Sequence, residues 1–262
     1  MPDIKIVFLD IDGTILRPDD TIEQSTKKAV TQLQQKGIEV FLATGRPLHE
    51  ITDIGDELSI SSYIAYNGAF ATHQSNTLFH EPLSDNLVEN LLKTSKENHF
   101  DIVLYSRNKN IFTSMEPKIV KEFIKTFHLR KNAIYDDTKK EEILGATIIT
   151  TEEHAEKKFN YIDEIHLSSV NVEGMKNCRD VIRGKVNKGV AVKAVLDALH
   201  IPPEQAAAFG DGMNDKEMLS AVGAGFAMGN ANPDLFPYAK FKTTDVENSG
   251  VYNGLKSVDL VK

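Results

Sequence analysis

The run Ile4-Lys5-Ile6-Val7-Phe8-Leu9, followed at once by Asp10-Ile11-Asp12-Gly13-Thr14, constrains this chain more than any other stretch. An apolar, β-branched run reads as a strand buried on both faces, the condition of a parallel sheet covered by helices. Its C-terminal end releases two carboxylates, and in open α/β sheets that end is where ligands bind. Residues i and i+2 of an extended chain share a face, so Asp10 and Asp12 converge. A bound cation would offset their repulsion. Gly13 lets the backbone turn, and Thr14 adds a hydroxyl. The set suits a carboxylate nucleophile, a nearby acid/base carboxylate and a hard metal ion. Asp-x-Asp-Gly also occurs in calcium loops, but these need flanking helices and a late Glu. Here a strand precedes the motif and Ile15-Leu16-Arg17-Pro18 follows it. A plain polar turn is the remaining alternative, and only residues further along the chain decide.

Those residues repeat the strand-then-loop arrangement. A helical segment starts near Glu23, with Val30 and Leu33 at helical spacing, and Gly37 closes it. Glu39-Val40-Phe41-Leu42-Ala43 reads as the next buried strand and ends at Thr44-Gly45-Arg46, after which Pro47 can open a helix. Ser62-Tyr63-Ile64-Ala65-Tyr66 is a third, ending at Asn67-Gly68-Ala69. This β-α-β-α-β order implies a parallel sheet. Between roughly Pro82 and Arg183 the text is more charged and less regular. Leu87, Leu91 and Leu92 mark one helix, and Val120, Phe123, Ile124 and Phe127 another. Residues 102–105 and 111–113 read as a hairpin, and 143–151 and 165–172 as further strands. The expectation is an α+β module inserted into the α/β domain. Alternation then resumes with a helix carrying Val190, Ala194, Val195 and Leu199, the small-residue strand Ala206-Ala207-Ala208-Phe209, and the strand Ala224–Met228.

Bulk properties narrow the function. At 262 residues the chain has room for one large or two moderate domains. Its net charge of −8 argues against a general nucleic-acid binder, which usually presents a basic face. One lysine and a metal can still hold a phosphate locally. Cys178 is the only cysteine, so neither an intrachain disulfide nor a multi-cysteine zinc site can form. No apolar stretch reaches the length of a membrane span, and a core strand begins almost at the first residue. The expected location is the cytoplasm, with no membrane or nucleic-acid partner.

Four features now combine. The first is Asp10 with Asp12. The second is Thr44 with Gly45, a hydroxyl and an open backbone amide apt for a phosphate oxygen. The third is Lys188, placed before Gly189 and a helix. A lysine at a helix N-terminus opposes the helix dipole and calls for an anionic neighbour. The fourth is Gly210-Asp211-Gly212-Met213-Asn214-Asp215, with acids beside flexible glycines at a strand end. Each alone fits an ordinary turn. Together they resemble the four motifs of the haloacid dehalogenase superfamily of phosphatases, in particular its Cof-type subfamily with the larger inserted cap. Asn67-Gly68-Ala69 and Ala227-Met228-Gly229-Asn230-Ala231 also look like Cof-type sequence. The resemblance runs nearly end to end and is weak through the middle region.

That resemblance implies a Rossmann-like, doubly wound parallel core at residues 1–82 and 184–262, interrupted by an α+β cap at 83–183. It implies a magnesium-dependent phosphatase acting on a small phosphorylated metabolite, such as a sugar phosphate. Asp10 would attack phosphorus and form an aspartyl-phosphate. Asp12 would protonate the leaving alkoxide and then activate water. Thr44, Gly45 and Asn214 would bind the phosphoryl group, and Lys188 would neutralise charge and orient Asp10. Mg²⁺ would be held by Asp10, the backbone carbonyl of Asp12, and Asp211, with Asp215 supporting or joining that shell. The cap would choose the substrate. A phosphomutase would share the covalent step but return the phosphoryl group to a substrate. A phospho-aspartate signalling module would use similar residues without turnover, though the Asp-x-Asp spacing and the second acidic loop speak against it.

Overall fold

The structure, a computed structural model, describes residues 3–170 and 172–262. In chain order the first segment supplies strand β1 (Ile6–Leu9), helix α1 (Gln24–Gln35), β2 (Glu39–Ala43), α2 (Thr52–Leu58), β3 (Tyr63–Ala65), β4 (Phe70–His73) and β5 (Asn76–His80). The middle segment supplies α3 (Asp85–Glu97), β6 (Asp101–Ser106), β7 (Asn110–Phe112), α4 (Lys118–Thr126), β8 (Asn132–Ile134), β9 (Ile143–Ile149), β10 (Ile165–Ser169) and β11 (Arg179–Arg183). The last segment supplies α5 (Lys188–Ala198), β12 (Ala206–Gly210), α6 (Lys216–Ser220), β13 (Ala224–Ala227), β14 (Phe241–Lys242) and α7 (Gly250–Lys256).

Two compact units result. One contains residues up to Arg46, Thr52–His80 and Asn187–Lys262; the other contains Pro47–Ile51 and Glu81–Val186. The first is a Rossmann-like α/β unit, with sheet order β14-β13-β12-β1-β2-β3-β4-β5. All four residues of β1 are fully buried, and every residue of β12 is buried. β1 pairs in parallel with β2 on one side and β12 on the other. The chain leaves β1 toward β2 and later returns to its opposite edge as β12. This is a switch point, where loops diverge and leave a crevice at the strand ends.

The sheet departs from the all-parallel expectation at one edge, because β4 runs antiparallel to both of its neighbours, β3 and β5. A tight turn after β3 returns the chain directly, with Tyr66 and Asn67 both in the left-handed region (φ 54° and 53°). The second unit holds a sheet of order β10-β11-β9-β6-β7-β8, antiparallel except for the β7–β8 pair. Helix α3 packs its Leu87 and Leu91 with Ile102, Leu104 and Ile148 of one face. Helix α4 packs Val120 and Phe123 with Val103, Phe112 and Ile149 of the other. Cys178 is buried in that second cluster as a small apolar residue.

Helix α5 begins at an N-cap, Asn187, whose side chain accepts a hydrogen bond from the Val190 amide at 3.0 Å. Its second residue, Gly189, lies against the chain of α6. A Cβ built there would sit 2.5 Å from the Glu217 carbonyl oxygen, and a backbone atom cannot swing away. Gly189→Ala gains about 1 kcal/mol of helix propensity, but overpacking typically costs about 1–3 kcal/mol and here meets backbone. The substitution is expected to lower the thermal midpoint measured by calorimetry. An unchanged or raised midpoint would show that α5 and α6 separate freely.

Candidate active site

The first unit brings the four motifs to one end of its sheet. Asp10 follows β1, Thr44 follows β2, Asp211 follows β12, and Lys188 opens α5. Asp10 is buried, and Lys188 is completely so. The lysine Nζ donates to Asp10 Oδ1 at 2.6 Å and to Asp215 Oδ1 at 2.7 Å. Those two carboxylates explain a cation at the start of a helix. Burial pulls the Lys188 pKa down, but Asp10 and Asp215 outweigh it and hold the ammonium above the ordinary lysine value.

Asp215 is saturated. Its Oδ1 accepts the hydrogen bond from Lys188 Nζ, and its Oδ2 accepts hydrogen bonds from the amides of Asp211 and Gly212, each at 3.0 Å. Asp211 is held from other directions: Thr14 Oγ1 donates to its Oδ1 at 3.4 Å, and Asn230 Nδ2 donates to its Oδ2 at 3.3 Å. The Asn230 amide also reaches the Gly13 carbonyl at 2.8 Å. Gly13 has φ +76°, and a Cβ there would collide with the Asp211 carboxylate, so the turn after β1 needs glycine on both counts.

Single oxygens of Asp10, Asp211 and Asp215 all lie within 4.8 Å of one another. Three carboxylates and one ammonium leave this buried cluster with excess negative charge. Burial and the Asp215 charge push the Asp10 pKa well up, against the pull of Lys188. The same causes push Asp211 up to about 7. Protonation or a bound cation would relieve this. The donors are all hard oxygens, which fits a small divalent cation such as Mg²⁺ and disfavours a soft-ligand metal.

Thr44 is buried, and its Oγ1 accepts the Arg46 amide at 3.1 Å. Asn214 Nδ2 donates to Asn67 Oδ1 at 3.1 Å, and the Asn67 side chain also lies against Gly45. Asp12 differs from the others. Its carboxylate is half-exposed and turns toward Arg46, whose Nε donates to Oδ2 at 2.9 Å and whose Nη2 donates to Oδ1 at 2.5 Å. A cleft of about 460 Å³ opens beside Asp12, Gly13 and Asn230. Arg46, Asn67 and Asn230 are the site residues that the motif reading did not single out. Each was visible only as a flanking letter of a motif-like string.

A family model for haloacid dehalogenase-like hydrolases matches residues 7–255. The Bacillus subtilis protein named "Putative phosphatase YkrA" is 32% identical over 263 residues, covering 99% of this chain and all of the relative. A second B. subtilis relative, the 5-amino-6-(5-phospho-D-ribitylamino)uracil phosphatase YitU, is 28% identical and spans 96% of both chains. A crystal structure of a Geobacillus kaustophilus protein described only as hypothetical superposes with a TM-score of 0.89 at 29% identity, covering 98% of this chain and all of that one. The chain belongs to the haloacid dehalogenase-like hydrolases, in their Cof-type phosphatase branch.

The charge excess makes a pH prediction. A carboxyl whose folded pKa is raised contributes stability that is present below its unfolded value, near 4, and lost as pH rises through the folded value. With Asp211 at about 7, the metal-free protein should lose stability between pH 6 and pH 8. Mg²⁺ should raise the thermal midpoint more at pH 8 than at pH 6, and Asp211→Asn should remove most of that difference. A metal-free midpoint that rises over this interval would contradict the assignment.

Proposed function

We propose that this phosphatase hydrolyses a small phosphate monoester, a sugar phosphate or similar metabolite, through an aspartyl-phosphate on Asp10 with Mg²⁺ as cofactor. The observation that carries the reading is the buried Lys188 ammonium, bonded to both Asp10 and Asp215 beside a third carboxylate, Asp211. A carboxylate approaching a phosphate dianion meets strong repulsion, so positive charge must already be in place. Lys188 supplies one share of it. Asp10, the Asp12 backbone carbonyl and Asp211 would hold the metal, which when bound neutralises phosphoryl charge. Asp215, with both oxygens engaged, orients Lys188 and the Asp211 loop.

In the first step an oxygen of Asp10 bonds to phosphorus as the bond to the leaving oxygen breaks, and Asp12 gives its proton to that oxygen. In the second step water bonds to phosphorus, the Asp10–phosphorus bond breaks, and Asp12 takes the water proton. Thr44, Gly45 and Asn214 bind phosphoryl oxygens. All these groups belong to one compact unit, so we assign the choice of leaving group to the inserted one, which contains Glu81–Val186. The ribityl phosphate substrate in one relative's name supports a polyol or sugar phosphate. We place the protein in the cytoplasm; no described helix is long and apolar enough to cross a membrane.

A screen of phosphorylated metabolites, read as released phosphate, tests this directly. Turnover should vanish in excess chelator and return with Mg²⁺, while Ca²⁺ restores it poorly because its looser shell misplaces the nucleophile. Asp10→Asn should lower kcat by at least about 10⁴-fold while the fold survives. Full activity in chelator would exclude the metal, and substantial activity of Asp10→Asn would exclude the nucleophile.

A further inference from the structure

The two compact units are joined at more points than an insertion needs. Two crossings suffice to insert a domain, and here they follow His80 and Val186. Two more enclose Pro47–Ile51, which lies between core elements in sequence yet belongs to the inserted unit. Buried polar bonds hold it there. The buried Glu50 carboxylate accepts from Asn110 Nδ2 at 2.7 Å, from the Arg130 amide at 3.1 Å and from Arg130 Nε at 3.4 Å. The neighbouring buried His49 places Nε2 3.0 Å from Asn110 Oδ1. Asn110, fully buried, also donates to Asn132 Oδ1 at 3.0 Å. A buried carboxylate is retained only when paired and hydrogen-bonded, and breaking one partner is costly. This short segment is therefore anchored as firmly as a regular element of its unit.

The residue directly before the anchor is Arg46. Its amide is bonded to Thr44 Oγ1, and its carbonyl accepts the Tyr66 amide at 3.1 Å. Its guanidinium grips both oxygens of Asp12 in the planar, two-point geometry that lysine cannot reproduce. Among the described residues, no group other than Arg46 makes a hydrogen bond or ion pair to the half-exposed Asp12 carboxylate.

We propose that Arg46 is the positioning residue for Asp12, and that the buried His49–Glu50 anchor fixes Arg46 through the intervening peptide. One guanidinium contact suffices to hold the carboxylate while its other oxygen serves the leaving group. The acid/base group is thereby tethered, through one side chain and a few residues of chain, to the unit that carries no catalytic group. This rests on the phosphatase reading and adds a specific signature to it. Losing Arg46 should damage proton delivery and leave nucleophilic attack nearly intact.

The test compares phenyl phosphate, whose poor leaving group needs a proton, with 4-nitrophenyl phosphate, whose good one does not. kcat/KM isolates the first step for both. Arg46→Ala should lower it by about tenfold or more for phenyl phosphate and by less than about threefold for 4-nitrophenyl phosphate, since general acid catalysis is worth ~10²–10⁴-fold in full. Added guanidinium ion, and in part Arg46→Lys, should recover the phenyl phosphate loss. Glu50→Gln should show the same selective pattern, weaker. Arg130→Ala, which removes a half-exposed donor to Glu50, serves in its place if that variant fails to fold. Equal losses on both esters would make Arg46 a phosphate-binding residue and overturn the proposal alone. A selective loss in Arg46→Ala with none in either anchor variant would overturn the tether. An unaltered protein that hydrolyses neither ester would overturn the phosphatase reading, and this inference with it.

Discussion

The ammonium of Lys188 is the interaction on which the site depends. Fully buried between Asp10 and Asp215, it keeps its charge because both carboxylates accept hydrogen bonds from it. The three residues come from three distant parts of the chain: the end of β1, the start of α5 and the loop after β12. Only a sheet that sets β12 beside β1 brings them together. The fold and the charge cluster therefore constrain each other. The parallel pairing creates the meeting point, and the charges dictate which residues can occupy it.

Local chemistry serves this meeting. Gly13 clears room for the Asp211 carboxylate, and Gly189 lets α5 approach the α6 backbone. Asn187 starts α5 at the turn that directs Lys188 inward. The surplus of negative charge that remains is the reason to expect a cation, and the raised pKa values of Asp10 and Asp211 express the same surplus as proton affinity. A metal and protons would compete for one set of oxygens, which would couple stability, pH and cofactor binding.

Much of this was legible because it is local. Buried strands such as Ile6–Leu9 and Glu39–Ala43 announce themselves by composition, and the loops after them carry the acids and the hydroxyl. Lys188 was legible by contradiction, since a lysine opposing a helix dipole needs an anion nearby. The β4–β5 hairpin was not legible. Its turn residues Gln74 and Ser75 take left-handed backbone (φ 46° and 76°) without being glycine or asparagine. Its strands are short and rich in polar residues, so pairing with β3 defines them, not propensity. Pro47 does not open a regular helix; α2 starts at Thr52, because the intervening residues are taken up by the other unit. Arg46 and Asn230 escaped for a similar reason. Their partners, Asp12 and Asp211, are 34 and 19 residues away, and spacing alone carries no distance.

The central claim is that Asp10, activated beside Lys188, carries the phosphoryl group during turnover. Acid quenching on the millisecond scale, followed by peptide mapping by mass spectrometry, measures this most directly. The account predicts a transient phosphoryl group on the peptide containing Asp10, formed and lost at rates compatible with kcat. Turnover with no enzyme-bound phosphoryl group at any time, or with the group on another residue, would contradict it.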